Sequence, residues 1–114
     1  MSYDKAAVER VRDTLAAHGD VVEKRMIGGL CFMVGGVMCC GVIGDALMIR
    51  VGAEARAWAL AQPYTRPMTF GARTLAAFVR IAPEGYQTEA ALAAWVQRGL
   101  DFAATLPAAQ SPDV

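Results

Sequence analysis

Three cysteines are the residues of this sequence best suited to chemistry, and two of them are adjacent. Cys31, Cys39 and Cys40 lie in the glycine-rich stretch RMIGGLCFMVGGVMCCGVIGDALMIRV, where methionines add further soft ligands. Thiolates and thioethers suit Cu(I), but the stretch contains no CxxC pair, and adjacent strand residues point to opposite faces. An odd number of cysteines also implies no disulfide framework. We therefore expect reduced thiols packed in the core and no metal site.

Other catalytic arrangements find little support in the sequence. The one histidine, His18, follows a predicted helix and precedes Gly19, a position that suits a structural role at a helix C-terminus. The acidic residues fall at caps, turns and solvent-facing helix positions, where no apolar setting would shift their pKa values. The glycines do not follow the GxxxxGK[ST] pattern of a phosphate loop. We expect a protein that is not an enzyme and uses no cofactor.

Charge and composition limit the partners of the chain. Its 114 residues include eleven basic and eleven acidic ones, so the long-range attraction that brings free DNA-binding proteins to DNA is missing. Hydrophobic residues make up 55%, an excess that a subunit interface would absorb. The N-terminus has no apolar signal sequence. We expect a cytoplasmic protein whose isolated domain binds neither nucleic acid nor membrane.

Periodic patterns predict the helices that support these residues. Apolar residues at helical spacing predict helices over residues 4–17 and 88–106. The Ala, Glu, Arg and Leu content of AEARAWALA predicts a short helix over residues 53–61. Asp4 and Thr88 are placed to cap the first and the last of them.

The uncharged stretch between the first two helices is typical of hairpin strands. Eighteen residues from Met26 to Ile43 carry no charge, a length that would also suit a membrane span, but paired glycines divide it into short apolar pieces. Two more strands are predicted at residues 66–70 and 73–82. The order helix, three strands, helix, two strands, helix predicts a two-layer α+β domain with an antiparallel sheet. This single domain spans residues 1–107 and is followed by a disordered tail at 108–114.

The turn positions also predict which side chains share a face of the sheet. We expect two-residue turns at Gly35-Gly36 and Gly44-Asp45, because their twist best matches paired strands. The face expected to pack under the helices contains Cys31, Met33, Met38, Cys40, Val42, Leu47, Ile49 and Val51. The second face contains Leu30, Phe32, Val34, Val37, Cys39, Gly41, Met48 and Arg50. This second face is too apolar for water, so we expect a homodimer or a protein partner to cover it at Phe32 and Met48.

Several arginines lie in or beside the predicted strands and could gather on one face. A solvated sheet edge is the simplest interpretation of this pattern. The alternative function is a small-molecule or anion-binding domain, or a contact with an acidic partner, that uses Arg50, Arg66 and Arg80.

Four segments, KRMIGGLCFMVGGVMCCGV, DALMIRVG, PYTRPMTFGARTLAAFVRIAPEG and LAAWVQRGLDFA, resemble the TfoX N-terminal domain family, named for a bacterial regulator of competence for DNA uptake. The resemblance runs from Ala6 to Leu106 and includes Arg25-Met26, Gly28-Gly29 and Trp95. It implies a fold similar to secretion-chaperone-like folds. It also implies a non-enzymatic regulatory or adaptor role, in transcriptional or competence-type control, exercised through protein contacts. We expect a stand-alone member without the second, helical domain of the competence regulators.

Overall fold

A computed structural model of the chain describes residues 3–26 and 28–106. The helices are α1 (Lys5–Thr14), α2 (Arg56–Leu60) and α3 (Glu89–Ala103), and a short 3₁₀ helix, Pro83–Tyr86, precedes α3. The strands are β1 (Val21–Met26), β2 (Gly29–Val34), β3 (Val37–Ile43), β4 (Ala46–Arg50), β5 (Thr65–Phe70) and β6 (Arg73–Ile81). The predicted α+β fold with an antiparallel sheet is confirmed. The predicted tail at 108–114 lies outside the described residues.

The predicted helix caps are present. Oδ1 of Asp4 accepts hydrogen bonds from the backbone N–H groups of Ala6 and Ala7 at 2.9 and 3.3 Å, and Oγ1 of Thr88 accepts one from Ala91 at 3.0 Å. The first helix ends earlier than predicted. The residues after it form hydrogen bonds between residues three apart in place of four, such as the one that the backbone N–H of His18 donates to the carbonyl of Leu15. Within the described part of the chain, none of the helices has the length and apolar character needed to span a bilayer.

The sheet contains one strand more than the sequence predicted. The strand order is β1-β2-β3-β4-β6-β5, and every neighbouring pair is antiparallel. The additional strand is β1, with the sequence VVEKRM, whose exposed charged residues hide the alternation of a half-buried strand. It forms because β2 offers an unpaired edge, and the two strands pair from Val21 opposite Val34 to Met26 opposite Gly29.

All three helices contribute to one core on a single face of the sheet, the helix-covered face. Val11 and Leu15 of α1 are 0% and 2% exposed, and Leu92 and Val96 of α3 are 0% and 1% exposed. They pack in one cluster with strand residues that include Leu30, Phe32, Cys39, Cys40, Val42, Leu47, Ile49, Val79 and Ile81. Each such side chain contributes about 1.5–3 kcal/mol on burial.

Polar contacts fix α1 against the sheet and the 3₁₀ helix. The guanidinium of Arg12 donates to both carboxylate oxygens of Glu23 in β1 at 2.7 and 2.8 Å. This pairing lowers the pKa of Glu23 below its usual value. Arg10 donates to the carbonyl of Tyr86 at 2.8 Å, and the Tyr86 hydroxyl donates to the carbonyl of Asp45 at 2.6 Å.

Both predicted hairpin turns are confirmed by the register. Val34 lies opposite Val37 and Ile43 opposite Ala46. Gly35 and Gly36 have φ values of 62° and 86°, the two positive angles that a type I′ turn requires.

A β-bulge between the two turns changes the predicted faces. Met33 pairs with Met38, but the residue before it, Phe32, pairs with Cys40. Cys39 is therefore an extra residue on β3. The expected placement of Phe32 on the uncovered face is therefore wrong, because its side chain is 0% exposed in the helix-covered core. Leu30 and Cys39 also belong to that core, whereas Cys31 and Met38 belong to a second cluster. For β4 the predicted faces are correct, with Leu47 and Ile49 in the core and Met48 in the second cluster.

Candidate functional site

The face of the sheet without helices carries a second apolar cluster. Its buried members are Cys31, Met48 and Met68, which are 0%, 1% and 0% exposed. Half-buried side chains pack around them, and all of them come from strands β3 and β6: Met38, Ile43, Leu75 and Phe78. We call this surface the open face. Because the sheet alone supplies its apolar groups, the half-buried members remain accessible from solvent.

One row of residues crosses the open face from edge to edge. The strand register aligns Lys24, Cys31, Gly41, Met48, Arg80 and Arg66 in that order. Basic residues stand at both ends of the row, and apolar or small residues occupy its centre. The row therefore combines an apolar middle with positive charge on either side.

The structure brings two of the three predicted arginines together. Arg66 and Arg80 are direct partners across β5 and β6, and Arg80 is also the partner of Met48. Within residues 3–26 and 28–106, the ion pairs that form involve Arg10 and Arg12, so no carboxylate neutralises Arg66 or Arg80. Two arginines that are direct partners on neighbouring strands suit an anionic partner.

Arg50 lies apart from that pair. Its guanidinium packs over the rings of Phe78 and Phe102, 5.6 and 5.7 Å from their centroids, and Nη1 donates to the carbonyl of Met38 at 3.4 Å. Its Nε is buried without a hydrogen-bond partner, and burial lowers the pKa of the guanidinium. These aromatic contacts hold Arg50 at the end of the open face. Of the three arginines predicted to form one site, Arg66 and Arg80 are therefore paired and Arg50 is separate.

The thiols are packed as expected, but the adjacent pair is not divided between faces. The bulge places both Cys39 and Cys40 in the helix-covered core, where each is 0% exposed. A hydrogen bond between the two thiols lowers the pKa of Cys39, and this contact together with burial raises the pKa of Cys40 well above its usual value. Burial raises the pKa of Cys31 to about 11. In the part of the chain that the structure describes, no cluster of three metal-binding side chains is present.

The family of the chain follows from a direct match. The family model described as TfoX N-terminal domain matches residues 13–103, which is well over half of the 114 residues. The chain belongs to the TfoX N-terminal domain family. The match spans every strand and α2, and it ends at the last residue of α3. This family is linked to competence regulation, and membership fits a regulatory domain.

No curated protein and no solved structure matches this TfoX N-terminal domain. Its candidate site is therefore defined by the geometry of the open face.

Lys24 and Met68 are among the open-face residues that the sequence did not predict. Lys24 was missed because β1 was not predicted, although Gly19-Asp20 and Gly28 flank a six-residue segment that begins with two valines. Met68 was missed because it lies on the distant strand β5, and only the sheet order brings it to Met48. The turn residues around β1 were the one local signal available for Lys24.

Proposed function

We propose that this TfoX N-terminal domain is a non-enzymatic, cytoplasmic regulatory or adaptor module that acts through protein contacts at its open face. The observation that carries the proposal is the one-sided arrangement of the fold. All three helices pack on one face, and the other face keeps an apolar cluster around Met48 without a covering helix. An accessible apolar patch with a polar rim is typical of a protein interface. The family's link to competence supports a role in transcriptional or competence-type regulation.

The surroundings of the reactive groups support a role without catalysis. The thiols are buried, so they are not accessible as nucleophiles. His18 lines a cleft at the end of α3, beside Val34, Leu100 and Asp101, and none of the three thiols lines that cleft. Among the described residues, none of the three thiols therefore shares a cleft with the histidine as its base.

Charge favours a different protein over a second copy as the partner. In a homodimer formed through the open face, the positive rows of two copies would face each other, and like charges in an interface oppose association. We therefore propose that the purified chain is a monomer at about 100 μM, a concentration at which a dimer with a dissociation constant near 10 μM would be mostly associated. Light scattering measures this directly. A dimer that Met38→Asp dissociates would overturn the choice and restore the homodimer predicted from the sequence.

A second candidate function rests on the pairing of Arg66 with Arg80. Their position opposite each other on β5 and β6, without a carboxylate in an ion pair with either, favours binding of a small anion. In this alternative, inorganic pyrophosphate at millimolar concentration raises the melting temperature of the wild type and not that of Arg66→Gln. An equal shift in both proteins, or none in either, would exclude the anion site.

Site-specific photocrosslinking in the native cell tests the proposed function. A benzophenone amino acid at Met38 lies on the rim of the open face, and the same group at Ala93 lies on the exposed side of α3. We expect one defined protein adduct from the first position and none of that mass from the second. An identical adduct pattern at both positions, or no adduct at Met38, would contradict a docking role for the open face.

The regulatory role is tested by complementation. Loss of the gene should change a defined set of transcripts, and the wild-type gene should restore them. A Met38→Asp gene should fail to restore them although its product is folded and present at wild-type level. Ala93→Asp, which places the same charge on α3, should restore them fully. Full restoration by Met38→Asp would contradict the proposal.

A further inference from the structure

We infer that the segment bound by the open face is acidic and amphipathic, with carboxylates for the two ends of the row and apolar side chains for its centre. This inference rests on the proposed function, because it takes the open face as the docking surface. Four observations on the described residues carry it.

The first observation is the distribution of charge over the sheet. Within the six strands, the one acidic residue is Glu23, and it faces α1, where it binds Arg12. The row across the open face contains Lys24, Arg80 and Arg66. The other acidic residues of the described part of the chain lie outside the strands, on helices, turns and loops, so the open face is the positive side of the sheet. Such a surface attracts and orients a negatively charged segment.

The second observation is the apolar centre of the row. Cys31, Gly41 and Met48 separate Lys24 from Arg80, and the half-buried side chains beside them include Met38 and Ile43. Methionine is flexible and polarisable, so a methionine-rich surface adapts to aliphatic side chains of different shape. A purely acidic segment would leave these half-buried side chains in water, whereas an amphipathic one covers them.

The third observation is the length of the row. Six strands give five interstrand spacings of about 4.8 Å, so the distance from Lys24 to Arg66 is about 24 Å. An α-helix rises about 1.5 Å per residue, and about sixteen residues cover this distance. A single amphipathic helix, with an apolar stripe in the middle and carboxylates toward both ends, matches the row.

The fourth observation separates this segment from single-stranded nucleic acid, which also carries negative charge. Bases bind sheet surfaces by stacking on exposed aromatic rings. The centre of the row consists of Cys31, Gly41 and Met48, which provide no ring for stacking. The ring within the open-face cluster, that of Phe78, is half-buried and already has the Arg50 guanidinium 5.6 Å from its centroid. An acidic peptide therefore matches both the charge and the apolar chemistry of the row.

The test is a fluorescence anisotropy titration of the purified chain with three labelled probes. The first is a helical peptide of about sixteen residues, one face of which carries leucines in the middle and glutamates toward both ends. The second has serine in place of every leucine, and the third is an oligothymidylate of similar length. We expect the first peptide to bind with a dissociation constant of about 100 μM or tighter. Its affinity should fall as salt rises from about 50 to 300 mM.

Two double variants with the same change of charge locate the contact. Arg66→Glu/Arg80→Glu reverses two charges of the row, and both side chains are accessible enough for the fold to persist. Lys5→Glu/Arg25→Glu is the matched control, since both residues are exposed beside the cleft at α1, on the helix-covered side. The first variant should weaken binding of the glutamate-leucine peptide by about tenfold or more, and the control by less than about twofold.

Four results would overturn the inference. These are no binding of the glutamate-leucine peptide, equal weakening by both double variants, equal affinity for the serine peptide, and tighter binding of the oligothymidylate. Photocrosslinking at Met38 separates these results from the proposed function. If that position captures a defined protein while the peptide does not bind, the acidic segment is rejected and the docking role stands. If the peptide binds but no protein is captured in the cell, the docking role is rejected instead.

Discussion

The terminal methyl group of Met48 lies directly over Gly41 at the centre of the open face. A Cβ atom placed on Gly41 would be 2.9 Å from Cε of Met48 and 2.8 Å from the carbonyl oxygen of Leu30. A hydrogen in place of a side chain at Gly41 therefore allows Met48 to cross β3 and close the centre of the row, where Met48 is only 1% exposed.

Gly41→Ala should destabilise the domain. The Met48 side chain can move aside, but the Leu30 carbonyl belongs to the backbone of β2 and cannot, so the added methyl group strains the pairing of β2 with β3. We expect a loss of about 1–3 kcal/mol in the free energy of unfolding, measured by urea denaturation. Gly19→Ala is the control, because no atom lies within 4 Å of the added Cβ. Equal stability of both variants would show that β2 and β3 are not packed as described.

Phe32→Ala should destabilise the domain far more than Met38→Ala. Phe32 is 0% exposed in the helix-covered core, whereas Met38 is half-buried on the rim of the open face. Removal of a buried phenylalanine ring costs about 3–5 kcal/mol, and the change at Met38 should cost less than half of that. Urea denaturation of the two variants gives the comparison. The reverse order would mean that β2 presents its other face to the helices.

Cys31 should make the domain less stable at alkaline pH. Burial raises the pKa of its thiol in the folded state to about 11, from a usual value of 9.0. The thiol stays protonated in the folded state between these pH values and ionises in the unfolded state, so the free energy of unfolding falls as pH rises from 9 to 11. Cys31→Ala should therefore lose stability less steeply than the wild type over this range in urea denaturation. Parallel pH profiles would show that the Cys31 thiol is not shielded from water.

The isolated domain should not bind duplex DNA tighter than about 10 μM at physiological salt. Its basic and acidic residues balance, and the positive row contains few charges compared with the phosphate contacts of a DNA-binding protein. A fluorescence titration with a labelled duplex measures this affinity. Sub-micromolar binding would contradict the expectation and point to a nucleic-acid surface.

The sequence by itself determined the features that depend on neighbouring residues. Asp4 and Thr88 cap their helices because each side chain reaches backbone N–H groups two or three residues away. Gly35-Gly36 forms its turn because glycine adopts positive φ without steric cost. Such local rules predicted the apolar stripes of the helices, the registers at the turns and the two-layer fold class. They also predicted most of the core residues of α1, β4 and α3.

Only the tertiary structure decided which side of β2 is buried. The extra residue Cys39 in the bulge reverses the faces of β2. The bulge fits against α3 because Gly99 has no side chain, since a Cβ atom there would lie only 2.7 Å from the Cys39 carbonyl oxygen. Neither the turn at Gly35 nor the alternation within β3 signals this contact, since Gly99 lies far along the chain. The order of the strands likewise placed Arg66 beside Arg80 and Lys24 at the far end of their row. Contacts between distant segments depend on how closely whole elements can approach, and local sequence patterns do not contain that information.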